Sequence, residues 1–472
     1  MARSRSLAAA WSGVLLALAV VLPVTGCVDA PRRPLDPAKL EQEQRARTLA
    51  DPELKSLCVE RLDLPPDAEW PPASLDLPMA VLAAWHFRPE MTAARAAIAA
   101  AQAKVQQAGK LPNPTLSLTP GRASPAASSP WVLAAALDFV LPLGGRRDRE
   151  RSVADQDVEL AIIDAAAVAW RIYAETRDAM TDAIHARDAA LLAAAAVANA
   201  DQRATLLRER LQAGLAGKPE CDLAALETAR ARADALRAEA LRSAGNGRFA
   251  AALGLLADEH LGSMLGALRQ IPPREQLDRI GGVPDRLDLR RTLAEYEACE
   301  RSLELELARQ YPDLHLGPGW EYDQGTRKYT LGWSIDLPLF DRNQAGIAEA
   351  LARREQKAAE FETRQAASLA EIAAASQRLE AARVVLQAVI GEAQTLANDG
   401  YAAAFASWSA GAIDGLEWID AQREYAVHSN NELAARFELA QAAAAWEDAT
   451  QSPCDALLGT WGIGSTGEEK PR

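Results

Sequence analysis

The chain has 472 residues and a mass of 50.6 kDa, with 49% hydrophobic and 25% charged residues and a net charge of −14. A chain of this size buries a large core and ordinarily forms two or three domains, and its acid excess leaves no basic face for nucleic acid. Aromatic residues make up only 5% and alanine dominates the apolar share, a composition that packs helices closely and matches cations or basic solutes better than anions.

Residues 1–26 read as an export signal. Arg3 and Arg5 precede an apolar run from Ala8 to Val24, and the segment ends Val24-Thr25-Gly26-Cys27. Small residues followed at once by Cys resemble a bacterial lipobox, which makes Cys27 the acylated, palmitate-bearing first residue of a lipoprotein. An uncleaved anchor helix is the other reading; Pro23 and the short run fit a bilayer span poorly. Acyl chains at about 0.8 kcal/mol per buried CH₂ tether a chain stably, and Val28 in place of Asp permits sorting to the outer membrane, by analogy with bacterial lipoproteins.

Residues 27–78 are proline-rich and hold only short helices between extended pieces, as a strap wrapped on a larger body does. Cys58, Cys221, Cys299 and Cys454 are widely spaced with no CxxC, so metal-site spacing is absent. A Cys58–Cys454 disulfide is expected in an oxidising periplasm, with free buried thiols as the alternative.

From Met79 to Lys110 the residues are helix formers, interrupted at Pro89, and the helix stops before Leu111-Pro-Asn-Pro114. A hairpin over 115–141 follows, with Leu116 and Leu118 alternating in its first strand and Leu133, Leu137, Phe139 and Leu141 sharing a face in its second. Helix is then expected from about Arg147 to Gly214, about 100 Å at 1.5 Å per residue, with a return helix from about Cys221 to Ala257.

After Pro272, Pro273 and Gly281-Gly282 the plan starts again. Helix from Arg286 to Gln310 opens on Tyr311-Pro-Asp-Leu314 into a hairpin over 313–339. Leu314, Leu316, Trp320 and Tyr322 alternate with polar or small neighbours, a polar segment from Asp323 to Lys328 joins the strands, and Tyr329, Leu331, Trp333, Ile335 and Leu337 alternate again. Long helix is expected from about Asn343 to Ser409, broken at Gly411, with a return helix from Asp414 to about Thr450. The two halves, 79–275 and 276–450, followed by a tail over 451–472, share anchors in the same order. Leu111-Pro-Asn-Pro matches Tyr311-Pro-Asp-Leu; Val140-Leu-Pro-Leu-Gly-Gly-Arg146 matches Asp336-Leu-Pro-Leu-Phe-Asp-Arg342; Leu211-Gln-Ala-Gly214 matches Trp408-Ser-Ala-Gly411; and Leu226-Glu-Thr-Ala-Arg230 matches Ile419-Asp-Ala-Gln-Arg423.

Strands of about ten residues suit a tilted bilayer crossing, and Trp320, Tyr322, Tyr329 and Trp333 gather near the loop end as an interfacial girdle does. A soluble sandwich hairpin would show the same alternation. Four strands cannot close around a water-filled lumen and lipid tolerates no open edge, so three copies contributing four strands each are the economical solution. The fold expected is mainly α with a small transmembrane β-barrel: a duplicated hairpin and long-helix repeat, trimeric, whose barrel of about 12 strands continues as a periplasmic α-helical barrel.

These residues resemble the TolC-type outer membrane factor family, trimeric exit ducts of tripartite efflux and secretion systems. The resemblance spans roughly Ser74 to Thr450 and is carried by Arg88-Pro-Glu-Met-Thr-Ala-Ala-Arg with Leu111-Pro-Asn-Pro114, by Asp336-Leu-Pro-Leu-Phe-Asp-Arg-Asn-Gln344, and by Ala410-Gly-Ala-Ile-Asp-Gly-Leu-Glu-Trp-Ile-Asp-Ala-Gln-Arg423. The junction at Asp336–Gln344 is most similar to the CzcC- and CusC-type branch associated with heavy-metal export, although Ala345 stands before Gly346 where that branch tends to have Gly straight after the Gln.

The resemblance implies a homotrimer in the outer membrane lipid with a periplasmic helical extension, a periplasmic adaptor and an inner-membrane RND pump as partners, and passive export of small solutes, heavy-metal cations among the candidates. It places adaptor-contact tips at Gly214, Leu215, Gly411 and Ala412, where a plain helix-turn glycine would look the same. The first turn carries an extra Gly217-Lys-Pro-Glu220 that the family usually lacks, which implies unequal docking of the two tips. It places the periplasmic aperture acids at Glu417 and Asp420, three residues apart on one helix face; a solvated face with Asp414 and Glu417 as a capping pair is the alternative. His86, His185, His260, His315 and His428 are scattered, with no HExxH, nucleophile elbow or phosphate loop, so no catalytic constellation, metal site or cofactor is indicated and an enzyme is not expected. Two other functions stay open on sequence: the outer-membrane duct of a type I protein secretion system, and a periplasmic coiled-coil scaffold or adaptor lipoprotein that never spans a membrane.

Overall fold

A computed structural model describes residues 30–124, 129–256, 259–269, 271 and 286–452. The lipidation candidate Cys27, Cys454 and nearly all of the 451–472 tail lie outside the described residues. The chain divides into residues 1–46 and 47–472. The first unit contains α1 (Pro37–Arg45), started by the Asp36 carboxylate, which accepts the Ala38 and Lys39 N–H groups at 3.1 and 3.3 Å.

In the second unit, α2 (Pro52–Leu62) and α3 (Leu77–Phe87) are likewise capped by Asp51 and Asp76 and begin with proline near the amino end. α4 (Pro89–Gln107) leads to β1 (Thr115–Arg122) and β2 (Trp131–Leu141). α5 (Arg146–Gln212) runs 67 residues without a break, about 100 Å, and α6 (Lys218–Leu253) returns beside it. After the short α7 (Glu259–Ser263), the order repeats with α8 (Leu287–Ala308), β3 (Leu314–Asp323), β4 (Thr326–Ile335), α9 (Gln344–Ala388), α10 (Gln394–Ser409) and α11 (Gly415–Thr450). No helix among the described residues is long and apolar enough to cross a membrane.

Four sequence expectations are corrected. Residues 47–78 do not merely wrap the outside: Leu54, Cys58 and Leu75 are buried, in one core with Val81 and Phe87 of α3, Trp170 and Tyr173 of α5 and Phe249 of α6. Proline content masked this because short helices between prolines still present an apolar face. Cys58 is a free thiol, and burial pushes it up to about 11, the inert protonated form. The expected long helix over Asn343–Ser409 is interrupted by a π-helical segment at Val389–Ala393, where Gly391 leaves helical geometry (φ −83°, ψ −116°). A glycine with no side chain to pack is the cheapest place for such a break. Finally, the loop expected over Asp323–Lys328 shrinks to a two-residue turn, since Asp323 pairs with Thr326 and only Gln324 (φ 49°) and Gly325 (φ 107°) lie between.

Two arginine-centred networks fasten the helices. The Glu447 carboxylate, 0% exposed, accepts from Arg177 (2.9 Å), Arg269 (2.7 Å) and the Tyr173 hydroxyl (3.0 Å), and Arg177, itself buried, also pairs with Asp448 at 3.0 Å. Burial opposes the Arg177 charge, but Glu447, Asp178 and Asp448 outweigh it and hold the guanidinium protonated; burial also pushes the Tyr173 hydroxyl up. In the second network, buried Arg286 bonds Asp288 and Glu371 at 2.7 Å each and the Ala449 carbonyl at 2.5 Å, and Arg364 joins Asp288.

Burial works to raise Asp288, yet Arg286 and Arg364 more than offset it and hold that carboxyl below its ordinary 3.8. A carboxylate depressed in the folded state adds stability above its unfolded value and loses it as pH falls through and below that value. Thermal unfolding in detergent should therefore drop as pH is lowered from neutrality past about 3.8, and Asp288→Asn should flatten that dependence. An unchanged acid limb in the variant would remove Asp288 from the account.

Candidate functional site: the sheet faces and the helix turns

The four strands form one antiparallel sheet in the order β1-β2-β3-β4. Register brings the apolar residues into rows on one face. Leu116 lies opposite Leu137; Ala135, Trp320 and Tyr329 align; Phe139, Leu316 and Trp333 align; Leu141, Leu314 and Ile335 align. Side chains alternate, so the other face takes Ser117, Thr119, Ala136, Asp138, His315, Gly317, Gly319, Glu321, Thr330 and Gly332. On that face His315 Nδ1 lies 3.1 Å from Asp138 and Lys328 Nζ donates to Asp323 at 2.8 Å. It is polar and built of small residues; a Cβ at Gly319 would meet Thr330 Oγ1 at 2.6 Å. Within the chain β1 and β4 are edges, and Tyr329, Leu331 and Trp333 on β4 stand largely exposed.

At the far ends of the long helices the two turns are built alike. In the first, Gly214 (φ +75°) donates its N–H to Leu211 O at 3.0 Å and Leu215 to Arg210 O at 2.7 Å; in the second, Gly411 (φ +74°) donates to Trp408 O at 3.0 Å and Ala412 to Ser407 O at 2.8 Å. This is the left-handed helix stop that satisfies the last carbonyls. Gly214, Leu215, Gly411 and Ala412 are all exposed. Lys218, Pro219 and Glu220 form the first turn of α6, with the Glu220 carboxylate accepting the Gly217 N–H at 3.2 Å, so the extra residues enter as helix and do not lengthen the loop.

The structure joins the turns through α5 and α11. Arg210 pairs with Asp414 at 2.7 Å, Arg203 with Asp420 at 3.4 Å, and Leu206 covers Gly415. Arg210, with the Leu416 and Glu417 N–H groups, holds Asp414 below the usual carboxylate range. Glu417 closes a capping box with Asp414, its carboxylate accepting the Asp414 N–H at 3.3 Å. Glu417 and Asp420 are both exposed, and Asp420 is already tied to α5. Sequence reasoning missed Arg203 and Arg210, more than 200 residues from their partners. It also missed the aromatic packing that distinguishes the second turn, where Tyr401 and Trp408 lie 5.0 and 5.7 Å from Trp418, ring centroid to centroid. The spacing Tyr401, Phe405, Trp408 was the available signal, one stripe of a helix.

The sequence profile described as Outer membrane efflux protein matches residues 83–255 and 285–450, taking in both hairpins and both pairs of long helices. The chain belongs to the outer membrane efflux protein family. The cobalt-zinc-cadmium resistance protein CzcC of Cupriavidus metallidurans is 25% identical over 356 residues, 75% of this chain and 84% of CzcC. Among solved structures, the outer membrane protein VceC of Vibrio cholerae is similar with a TM-score of 0.64 at 18% identity, covering 80% of this chain and 97% of VceC. CusC, solved in a study of transmembrane channel formation, gives 0.62 at 15% identity, covering 83% and 96%. This efflux protein therefore has the mainly helical, small-barrel fold of outer-membrane channels, and its place is the outer membrane.

In the efflux protein the turn glycines are held by conformation alone, since a Cβ at Gly411 would meet nothing within 4 Å. Gly411→Val is expected to cost about 1–2 kcal/mol locally through the left-handed φ, and to open the second turn to limited proteolysis while the first stays protected. Equal cleavage of the variant and the parent would mean the turn does not need its glycine.

Proposed function

We propose that three copies of the chain form a passive exit duct, lipid-anchored at Cys27, in a tripartite efflux assembly with a periplasmic adaptor and an inner-membrane RND pump. The observation that carries this reading is the sheet: one continuous apolar face, one polar face of small residues, and two unpaired edges. An open edge in hydrocarbon leaves backbone groups unsatisfied, so β4 of one copy pairs with β1 of the next until the cylinder closes. Solute crosses without chemistry. The adaptor meets the turns at Gly214-Leu215 and Gly411-Ala412, where left-handed glycines leave the approach unobstructed. The likeness to CzcC and the acidic aperture at Glu417 and Asp420 favour heavy-metal cations as the cargo.

Membrane fractionation with crosslinking tests the duct. The protein should stay in the outer membrane after carbonate washing and migrate as a detergent-stable trimer, and a soluble monomer would end the proposal. In planar bilayers, Glu417→Gln with Asp420→Asn should lower cation preference and raise current, because the second change also frees Arg203 from α11. Unchanged selectivity and current would remove these acids from the aperture. Metal susceptibility of a deletion strain, restored by the parent gene alone, tests the cargo.

A further inference from the structure

Strands and helices meet in two matching sets of loops, and only one set finds its partner within the chain. The chain leaves β2 through Leu141-Pro-Leu-Gly-Gly-Arg146 and enters β3 through Tyr311-Pro-Asp-Leu314. Because β2 and β3 are antiparallel neighbours, with Leu141 opposite Leu314, these two segments lie side by side. A Cβ on Gly144 would stand 2.6 Å from the Tyr311 ring, so the tyrosine covers a position kept free of side chain. Beside it Arg146 Nη1 and Asp313 Oδ1 are 3.1 Å apart, both partly buried.

The duplicate of this seam is split between the sheet's two edges. The chain leaves β4 through Leu337-Pro-Leu-Phe-Asp-Arg342 and enters β1 through Leu111-Pro-Asn-Pro114. β4 and β1 lie at opposite ends of the strand order, so the two halves cannot meet in one copy. The outgoing loop is left bare: Phe340 is 97% exposed, Leu337 70% and Leu339 68%, against 38% for Leu143, the match of Leu339 in the seam that is complete. Apolar groups gathered this way mark an interface.

We infer that the Leu337–Arg342 loop of one copy packs on the Leu111–Pro114 segment of the next, Phe340 against Leu111 and Arg342 beside Asn113. The inference rests on the trimeric reading and names the residues that seal it below the sheet. An antiparallel β4–β1 closure puts the end of β4 next to the start of β1, as β2 and β3 do inside the chain. The pairing then follows position by position. Phe340 stands where Gly144 does and Leu111 where Tyr311 does, so the large ring moves from the receiving segment to the incoming loop. Arg342 stands where Arg146 does, and Asn113 replaces Asp313, so an ion pair inside the chain becomes an arginine-to-amide hydrogen bond between copies.

Leu111→Cys combined with Phe340→Cys tests the contact. Oxidation should yield covalent dimers and trimers on denaturing, non-reducing gels, with neither single variant exceeding the background of the parent. Phe340→Gly should lower the temperature at which the trimer dissociates in detergent, and adding Leu111→Tyr, which copies the Gly144–Tyr311 pair, should restore much of it. A native trimeric mass without the crosslink, or a double variant weaker than Phe340→Gly alone, overturns the seam and leaves the duct standing. A monomeric mass overturns both. Quenching of Phe340→Trp fluorescence by brominated lipid would assign the loop to the bilayer and likewise overturn the seam.

Discussion

Glu447→Ala should cost about 3–5 kcal/mol of stability, the loss typical when one member of a buried ion pair is removed. The carboxylate has no exposed surface and accepts from Arg177, Arg269 and Tyr173, so its removal leaves Arg177 charged and buried, without its one fully buried partner and with only the exposed carboxylates of Asp178 and Asp448. Tyr173 also loses the acceptor for its hydroxyl, adding a buried unsatisfied donor. Glu447→Gln keeps the shape and one acceptor and should lose less. Glu447→Met with Arg177→Met should be less damaging than the sum of the single changes, because neither charge is then stranded. Thermal unfolding by circular dichroism in micelles checks the series. A loss under about 1 kcal/mol for Glu447→Ala, the range of exposed pairs, would show that water reaches the network.

Leu331→Lys should abolish assembly while Thr330→Lys, one residue away, should not. Leu331 lies midway along β4, opposite Pro318, on the apolar face; Thr330 points to the other side, opposite Gly319. A lysine near the bilayer midplane on the lipid side costs about 2–4 kcal/mol, and a trimer bears it once per copy. On the lumen side the ammonium stays in water. The amount of protein in the outer-membrane fraction and its trimer content on gels separate the two. Equal assembly of both variants would mean that the apolar face does not meet lipid.

Much of this was legible because it is local. Alternation in Tyr329, Leu331, Trp333 and Ile335 gives the strand and its faces, and Gly214 and Gly411 mark the turns because only glycine takes the left-handed stop cheaply. Proline-free runs gave α5 nearly to the residue. The misses have physical causes. Gly391 reads as one tolerated glycine among helix formers, and whether a helix closes over it or bulges depends on packing. Glu447 and Arg177 look like two charges on alanine-rich helices, and nothing local announces that 270 residues of chain bring them together. The arginines that hold Asp414 and Asp420 were hidden for the same reason. In Asp323–Lys328 polarity suggested loop, yet a strand with one wet face accepts Thr326 and Lys328 without penalty.

The interruption at Gly391 divides the two shafts of the chain mechanically. α5 passes any load on Leu215 along 67 unbroken residues to the base of the sheet. From Ala412 the path to the sheet meets the break at Gly391 after only the 16 residues of α10, and such a break is where a helix bends most readily. Each copy therefore pairs a continuous long helix with one that is interrupted between the sheet and its turn.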